Sequence, residues 1–126
     1  MEKVDMHFHS KLSDWKKTNS EIIDLAIAKN IAFAVCTDHD IVNREFTTEA
    51  TIRWVLSVEG VEVSTFFDIG WKKIHLDITC YSTKFHEWIH NLLQKIRQGR
   101  IEKVRAHILC LLYTSDAADE AKGGER

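Results

Sequence analysis

The fold is decided by two stretches of sequence, Lys3-Val4-Asp5-Met6-His7-Phe8-His9 and Ile31-Ala32-Phe33-Ala34-Val35-Cys36-Thr37-Asp38-His39-Asp40. Each is a short apolar run that ends in imidazole and carboxylate side chains. The second run is partly β-branched and flanked by polar residues, which is typical of a strand buried on both faces. Between the two runs, Ser20 as the N-cap and apolar residues at helical spacing predict a helix. The first 40 residues therefore predict a right-handed βαβ unit with parallel strands.

The rest of the chain continues this pattern with further strands and helices. The predicted elements are, in order, a helix at 47–55, a strand at 56–64, a turn at 66–71, a strand at 73–81 and a long helix at 85–109. Residues 73–81 alternate with a period of two, which places His75 on the polar face of its strand. Gly99 interrupts the long helix at modest cost.

Composition indicates one ordinary globular domain with a single core, in a chain of 126 residues. Lys and Arg number 17 against 19 for Asp and Glu, so there is no overall basic field for nucleic acid. No apolar stretch approaches the ~18 residues that a membrane span needs, and no signal peptide is seen. Three cysteines without a CxxC motif fit a reducing compartment. We expect a cytoplasmic protein without a membrane partner.

The end of the chain differs in character from the rest. The segment from Cys110 to Asp119 resembles the translation of a transposase-type sequencing adapter. We therefore expect residues 110–126 to be an adapter-derived, non-native tail that carries no information on function. A natural helical end made of small residues is the alternative.

Candidate metal ligands lie at the ends of the predicted strands. His7 and His9 are two residues apart, so on an extended segment both imidazoles share a face and reach one ion. Such a pair is weak evidence alone, but its position after an apolar strand strengthens it. Asp38 and His39 directly follow the buried strand, at the carboxyl edge where α/β proteins place their sites.

The acidic residues have structural alternatives. Glu62 lies in an otherwise apolar strand, where a buried carboxylate needs a metal ion or an Arg partner. Glu59 could play the same part, but we favour an exposed charge at the end of the strand. Asp38 or Asp40 could instead cap a following turn, and for Asp40 this alternative is at least as strong as a functional role.

Four segments in the same order, Asp5–Asp14, Cys36–Asp40, Gly60–Ser64 and His75, resemble the PHP domain. This is the polymerase and histidinol phosphatase family of metal-dependent phosphoesterases. The resemblance covers about residues 3–109 and implies an α/β fold, a distorted (β/α)7 barrel with three divalent metals at the carboxyl ends of its strands. It implies that residues 1–109 are a partial, truncated PHP domain, the N-terminal portion of that barrel, and that later motifs supply the missing ligands.

The resemblance also implies a role for each site residue. The implied metal ligands are His7 and His9 for a first ion, Glu62 as a bridge, His75 for a second ion, and Asp14 with His39 for a third. Asp38 is implied in catalysis indirectly, by orienting His39 or a loop amide. Zn, Mn and Fe all suit this set of donors. Trp15 replaces the glycine usual in the family, so we expect a reshaped loop over the metals. The remaining histidines match no motif, and we assign them to the surface or core of the long helix: His86, His90 and His107.

The function implied is hydrolysis of a phosphoric ester, on a nucleotide or a small phosphorylated metabolite, by metal-activated hydroxide. Lys11, Arg97 or Arg100 could hold a second phosphate, although solvated helix charges are the more common role of such residues. One alternative is the PHP module of a bacterial DNA polymerase, which acts on DNA or serves as a structural metal domain. Another is a catalytically inert fragment, because an incomplete barrel leaves sheet edges unpaired.

Overall fold

The computed structural model describes the backbone of residues 2–123 and the side chains of residues 2–114. The elements are, in chain order, β1 (Lys3–Phe8), α1 (Asn19–Ala28), β2 (Ile31–Cys36), α2 (Arg44–Ile52), β3 (Glu59–Ile69), β4 (Lys72–Ser82) and α3 (Glu87–Gly123). Strands and helices mix, as the sequence predicted. Among these residues the strands form one sheet of β1 and β2 and another of β3 and β4. A closed barrel therefore stays a prediction.

The β1–α1–β2 unit confirms the predicted parallel pairing, with Phe8 of β1 level with Cys36 of β2. The start of α1 was wrong in the sequence analysis, because Thr18 and not Ser20 caps the helix. The Thr18 hydroxyl accepts from the Glu21 amide, and the Glu21 carboxylate accepts from the Thr18 amide. This reciprocal capping box satisfies two amide donors that the first helical turn would otherwise leave unpaired.

The core of this unit lies where both helices pack on the β1–β2 sheet. Phe46 of α2 is fully buried and meets the Phe8 ring edge-on, with ring centroids 5.3 Å apart. Helix α2 begins three residues earlier than predicted, because the Asn43 side chain caps it by accepting from the Phe46 amide. The buried cluster comprises Ile23, Ala34, Cys36, Phe46, Ala50 and Val55.

Strands β3 and β4 form a long antiparallel hairpin that runs from the pair Glu59–Ser82 to the pair Ile69–Lys72. The predicted turn at 66–71 was wrong, because β3 continues to Ile69 and only Gly70 and Trp71 connect the strands. Gly70 has a φ of 61°, which the tight connection requires and which glycine adopts without steric cost.

Two isolated parallel bridges join this part of the chain to β2 and to the loop after β2. One pairs Leu56, just before β3, with Phe33 of β2, and the other pairs Glu62 of β3 with His39 of the loop. Gly60 allows the close approach. A Cβ atom there would lie 2.5 Å from Val35 Cγ1 and 2.7 Å from the Cys36 carbonyl oxygen. The contact therefore sets β3 against β2 and brings Glu62 beside the loop that follows β2.

Helix α3 continues past the predicted end at Leu109 as far as Gly123. Residues 115–123 include several alanines, which favour helix. The chain divides into two compact units, residues 1–94 and 95–126, and the candidate site described below lies wholly in the first. The domain boundary at 109 and the origin of residues 110–126 stay predictions. None of the helices in the described part of the chain has an apolar stretch long enough to span a membrane.

Candidate metal centre

Glu62 lies at the centre of three imidazole rings contributed by separate parts of the fold. Its Oε2 atom is 3.2 Å from His7 Nε2 at the end of β1 and 3.1 Å from His9 Nε2 just beyond that strand. His39 Nδ1, in the loop after β2, is 3.7 Å away. The Glu62 residue is only 9% exposed. The fold therefore gathers residues that are far apart in sequence around one carboxylate oxygen.

Asp14 forms a second group with His9 and His39, through the ring nitrogens that do not face Glu62. Its carboxylate oxygens lie 3.4 Å from His9 Nδ1 and 3.5 Å from His39 Nε2. The His9 and His39 rings stack with centroids 4.5 Å apart. His9 thus presents Nε2 to Glu62 and Nδ1 to Asp14. Two sets of candidate ligands result. The first is His7, His9 and Glu62, and the second is His9, Asp14 and His39. Within each set the candidate ligand atoms lie within 4.8 Å of one another.

These donors fit a divalent metal ion. Imidazole nitrogens and carboxylate oxygens at this density are the ligands that Zn, Mn and Fe sites use. In addition, His9 Nδ1 is buried and makes no hydrogen bond, although an Asp14 oxygen lies 3.4 Å away. A buried ring nitrogen without a partner is costly, and coordination to a cation would satisfy it.

Asp38 belongs to neither group and instead anchors the loop that carries Asp14. Its Oδ1 accepts from the Ser10 amide and the Ser13 hydroxyl, both at 2.6 Å, and its Oδ2 accepts from the Ser10 hydroxyl at 2.6 Å. Burial alone would raise the pKa of Asp38, but these hydrogen bonds to the charged form hold the pKa below its usual value. Asp38 thus contacts a loop amide, and its part in catalysis stays a prediction. Asn43 adds a further bond to Oδ2 at 3.1 Å.

Ser10, Ser13 and Asn43 complete the Asp38 network but were not predicted from the sequence. The available signal was weak. Ser10 and Ser13 lie within the first motif, but serine is common in polar loops. Asn43 precedes a helix and combines two roles, since its Oδ1 caps α2 while its Nδ2 donates to Asp38 and to Ser10 Oγ.

Two other acidic residues, Glu59 and Asp40, make structural contacts outside the two groups. Glu59 was expected to be exposed, and this was wrong: it is 7% exposed, and its carboxylate binds Arg44 Nε at 3.0 Å and the Phe85 amide at 2.6 Å. The Arg44 charge compensates the burial of this carboxylate. Asp40 Oδ1 accepts from the Ser64 amide in β3 at 2.7 Å, so this carboxylate joins the loop after β2 to β3.

His75 lies outside both groups. It pairs with Phe66, four residues farther along β3 than Glu62, with ring centroids 6.2 Å apart. At ~3.3 Å per residue this places His75 about 13 Å along the strand from Glu62. Its assignment as a ligand stays a prediction from the resemblance. His86, His90 and His107 also belong to neither group.

Fold and site together define a mixed α/β protein with a His, Asp and Glu cluster suited to divalent cations. No family model matches the chain. The chain is 34% identical over 108 residues to a 3',5'-nucleoside bisphosphate phosphatase from Chromobacterium violaceum, an alignment that covers 83% of this chain and 36% of that protein. It is also similar to the structure of an amidohydrolase from Chromobacterium violaceum, solved with bound sulfate and without metal. That match has a TM-score of 0.66 and 32% identity, and it covers 82% of this chain and 36% of the other. The chain therefore spans little more than a third of each relative.

Proposed function

We propose that this chain is the metal-binding portion of a phosphoesterase of the PHP type that hydrolyses a phosphoric ester of a nucleotide or small phosphorylated metabolite. The observation that carries this proposal is the convergence of three imidazoles on Glu62 Oε2, with Asp14 on the far side of two of them. The similarity to a nucleoside bisphosphate phosphatase supports a phosphorylated nucleotide as the substrate.

The residues divide naturally into ligands and supports. His7, His9 and Glu62 would hold one ion, and Asp14 with His39 would hold another. A divalent ion supplies Lewis acidity, which lowers the pKa of a coordinated water and offsets the negative charge of a phosphate group. We assign Asp38 a positioning role, since it fixes the 10–14 loop through Ser10 and Ser13 and so holds Asp14 in place.

The mechanism requires the polar groups to be fixed before substrate arrives. The His39–Glu62 backbone bridge and the Asp40 bond to Ser64 hold β3 against the loop after β2. The Ser10 contacts of Asp38 hold the loop after β1. The ligand side chains thus sit on strand ends and short braced loops, which is how a preorganised electrostatic site limits reorganisation during the reaction.

The alternative of a DNA polymerase module rests on the sequence resemblance alone. The relatives found are a phosphatase and an amidohydrolase, which are both hydrolases, and the name of the phosphatase gives a nucleoside bisphosphate as its substrate. An inert fragment is the other alternative, because the chain spans 36% of its relatives. Metal binding can be tested whether or not this chain turns over substrate.

The test is calorimetric titration of the full chain with Mn²⁺ or Zn²⁺. Glu62→Gln keeps the shape of the side chain but removes the charge that three imidazoles face, so we expect affinity to fall at least ~10-fold. The matched control is Glu45→Gln, which removes an exposed carboxylate from the first turn of α2 and should leave binding unchanged. Hydrolysis of adenosine 3',5'-bisphosphate with the same metals gives the second readout. Equal metal affinity of Glu62→Gln and the unaltered chain would contradict the proposal.

A further inference from the structure

A cavity of about 520 Å³ adjoins the candidate metal centre, and two of the centre's residues, His7 and His9, form part of its wall. The volume is in the range of pockets that bind small molecules. Much of the remaining wall is apolar, with Phe8 from β1 and Ile22 and Leu25 from α1. A ligand with one group at the metal centre could therefore place an apolar body in the cavity.

Trp15 lines the same cavity and lies directly after Asp14 in the chain. Its residue is 57% exposed, so a large part of the indole is available for contact. The loop around it is closed by backbone hydrogen bonds from the Trp15 amide to the Ser10 carbonyl at 3.1 Å and from the Lys11 amide to the Lys17 carbonyl at 2.9 Å. The indole is therefore carried on a braced loop. Exposure alone would not indicate a ligand, because Trp54 and Trp71 are more exposed still and line no part of this cavity.

The charges on the wall suit an anionic ligand. Among the residues whose side chains are described, Lys17 and Lys29 line the cavity together with one acidic residue, Asp5. Lys17 is half-buried, so the protein covers part of its side chain. An aromatic face, an apolar wall and a cation next to a phosphate-binding centre are the features with which proteins bind nucleotides.

We propose that this cavity binds the base of a nucleotide substrate, with the base stacked on Trp15, a second anionic group near Lys17, and the scissile phosphate at the His7 and His9 end. This inference rests on the proposed function and narrows its substrate to nucleotides. Trp15 is then a specificity-determining residue of this chain. It stands at a position where the PHP domain, which the sequence resembles, usually has glycine.

The experiment compares two ligands that both contain a ribose and a 5'-phosphate, only one of which carries a base. Adenosine 5'-monophosphate and ribose 5-phosphate are titrated calorimetrically into the full chain with Mn²⁺ present. We expect the nucleotide to bind on the order of tenfold more tightly, because stacking on an aromatic side chain contributes about this much. Trp15→Ala should abolish the preference, Trp15→Phe should keep most of it, and the control Trp54→Ala should keep all of it.

The outcomes separate this inference from the proposed function. Normal Mn²⁺ binding with equal affinity for the two phosphates, or a preference that survives in Trp15→Ala, overturns the base pocket and leaves the metal centre standing. A titration with adenosine in EDTA tests the reverse case, since a base pocket retains weak binding that Trp15→Ala removes. Adenosine binding of this kind without any Mn²⁺ binding overturns the metal centre and supports the pocket. Failure of every ligand to bind overturns both.

Discussion

The Asp38 network offers the sharpest test of how the site is held together. The substitution Asp38→Asn keeps one side-chain oxygen but replaces the other with an amide NH₂ group. If the remaining oxygen stays with the Ser10 amide and the Ser13 hydroxyl, the new NH₂ group faces Asn43 Nδ2. Both groups are hydrogen-bond donors, so the bond from Asn43 is lost. Asn43 cannot turn its amide over to relieve this, because its Oδ1 caps α2 through the Phe46 amide.

The expected loss follows from these contacts. A hydrogen bond to a charged group contributes ~1.5–3 kcal/mol, and a buried donor left without a partner costs ~1–3 kcal/mol. The Ser10 hydroxyl can rotate to donate elsewhere or to accept from the new amide, which recovers part of this. We therefore expect Asp38→Asn to lower the free energy of unfolding by about 3 kcal/mol, a large share of the ~5–15 kcal/mol typical of a domain.

The assay is urea denaturation of the full chain at neutral pH, followed by circular dichroism. The control is Asp24→Asn, which changes an exposed carboxylate on α1 that pairs with Arg53, and should cost less than ~1 kcal/mol. A loss below ~1 kcal/mol for Asp38→Asn, at unchanged denaturant dependence, would refute the argument that this carboxylate holds the loop. Weaker Mn²⁺ binding, by ~10–100-fold, should accompany the loss of stability.

The same network predicts a pH dependence. Since the folded pKa of Asp38 lies below its usual value, the charged carboxylate contributes stability above the unfolded pKa of about 3.9. This contribution is lost as the pH falls through the folded pKa. The difference in stability between the unaltered chain and Asp38→Asn should therefore be constant above about pH 5 and shrink at lower pH. A difference that grows toward low pH would contradict the assigned direction of the pKa shift.

Two further predictions concern packing and thiol chemistry. Gly60→Ala should lower the free energy of unfolding by about 2–3 kcal/mol in urea denaturation, because the new methyl group meets Val35 and a backbone carbonyl. The control Gly99→Ala meets no other atom and should stabilise α3 by ~0.5–1 kcal/mol. An unchanged stability of Gly60→Ala would contradict the close contact between the strands. Cys36 should be the last cysteine to react with Ellman's reagent at mildly alkaline pH, because burial, and then the nearby Asp38 charge, raise the pKa of its thiol, while the exposed Cys110 should react first. Mass spectrometry of the labelled peptides checks the order, and early labelling of Cys36 would count against its burial.

Local sequence was enough to predict the parts of the fold in which one short segment decides the outcome. Strand β1 alternates polar and apolar residues, β2 is a continuous apolar run, and a short helix joins them, so their parallel pairing follows from connectivity and periodicity. The position of His7, His9 and His39 at the strand ends follows as well. The start of α1 was harder, since Thr18 and Ser20 are both good capping residues. What distinguishes them is Glu21, which stands three residues after Thr18 and completes the reciprocal bonds.

The hairpin could not be predicted in the same way. The run from Phe66 to Trp71 contains apolar residues together with a glycine, which fits either a turn or a strand that ends late. In the structure both strands continue with exposed side chains to Gly70, and the register follows from that single connection. The distance of His75 from Glu62 depends on this register. The order of the motifs led to His75 as a ligand, but that order does not show how far along the hairpin His75 lies.

Glu59 and Glu62 show why the identity of a partner decides the chemistry of a buried carboxylate. They lie an odd number of residues apart on β3, so they point to opposite faces of the strand. Glu59 meets the Arg44 guanidinium, a permanent positive charge that compensates its burial. Glu62 meets three imidazoles, and an imidazole carries positive charge only when it is protonated. With neutral rings, the negative charge of Glu62 is compensated when a cation joins the group. His9 Nδ1 faces the other group, where a cation held with Asp14 and His39 would satisfy it. Sequence spacing places both carboxylates in one strand, but only the tertiary partners make one a structural ion pair and the other a candidate metal ligand.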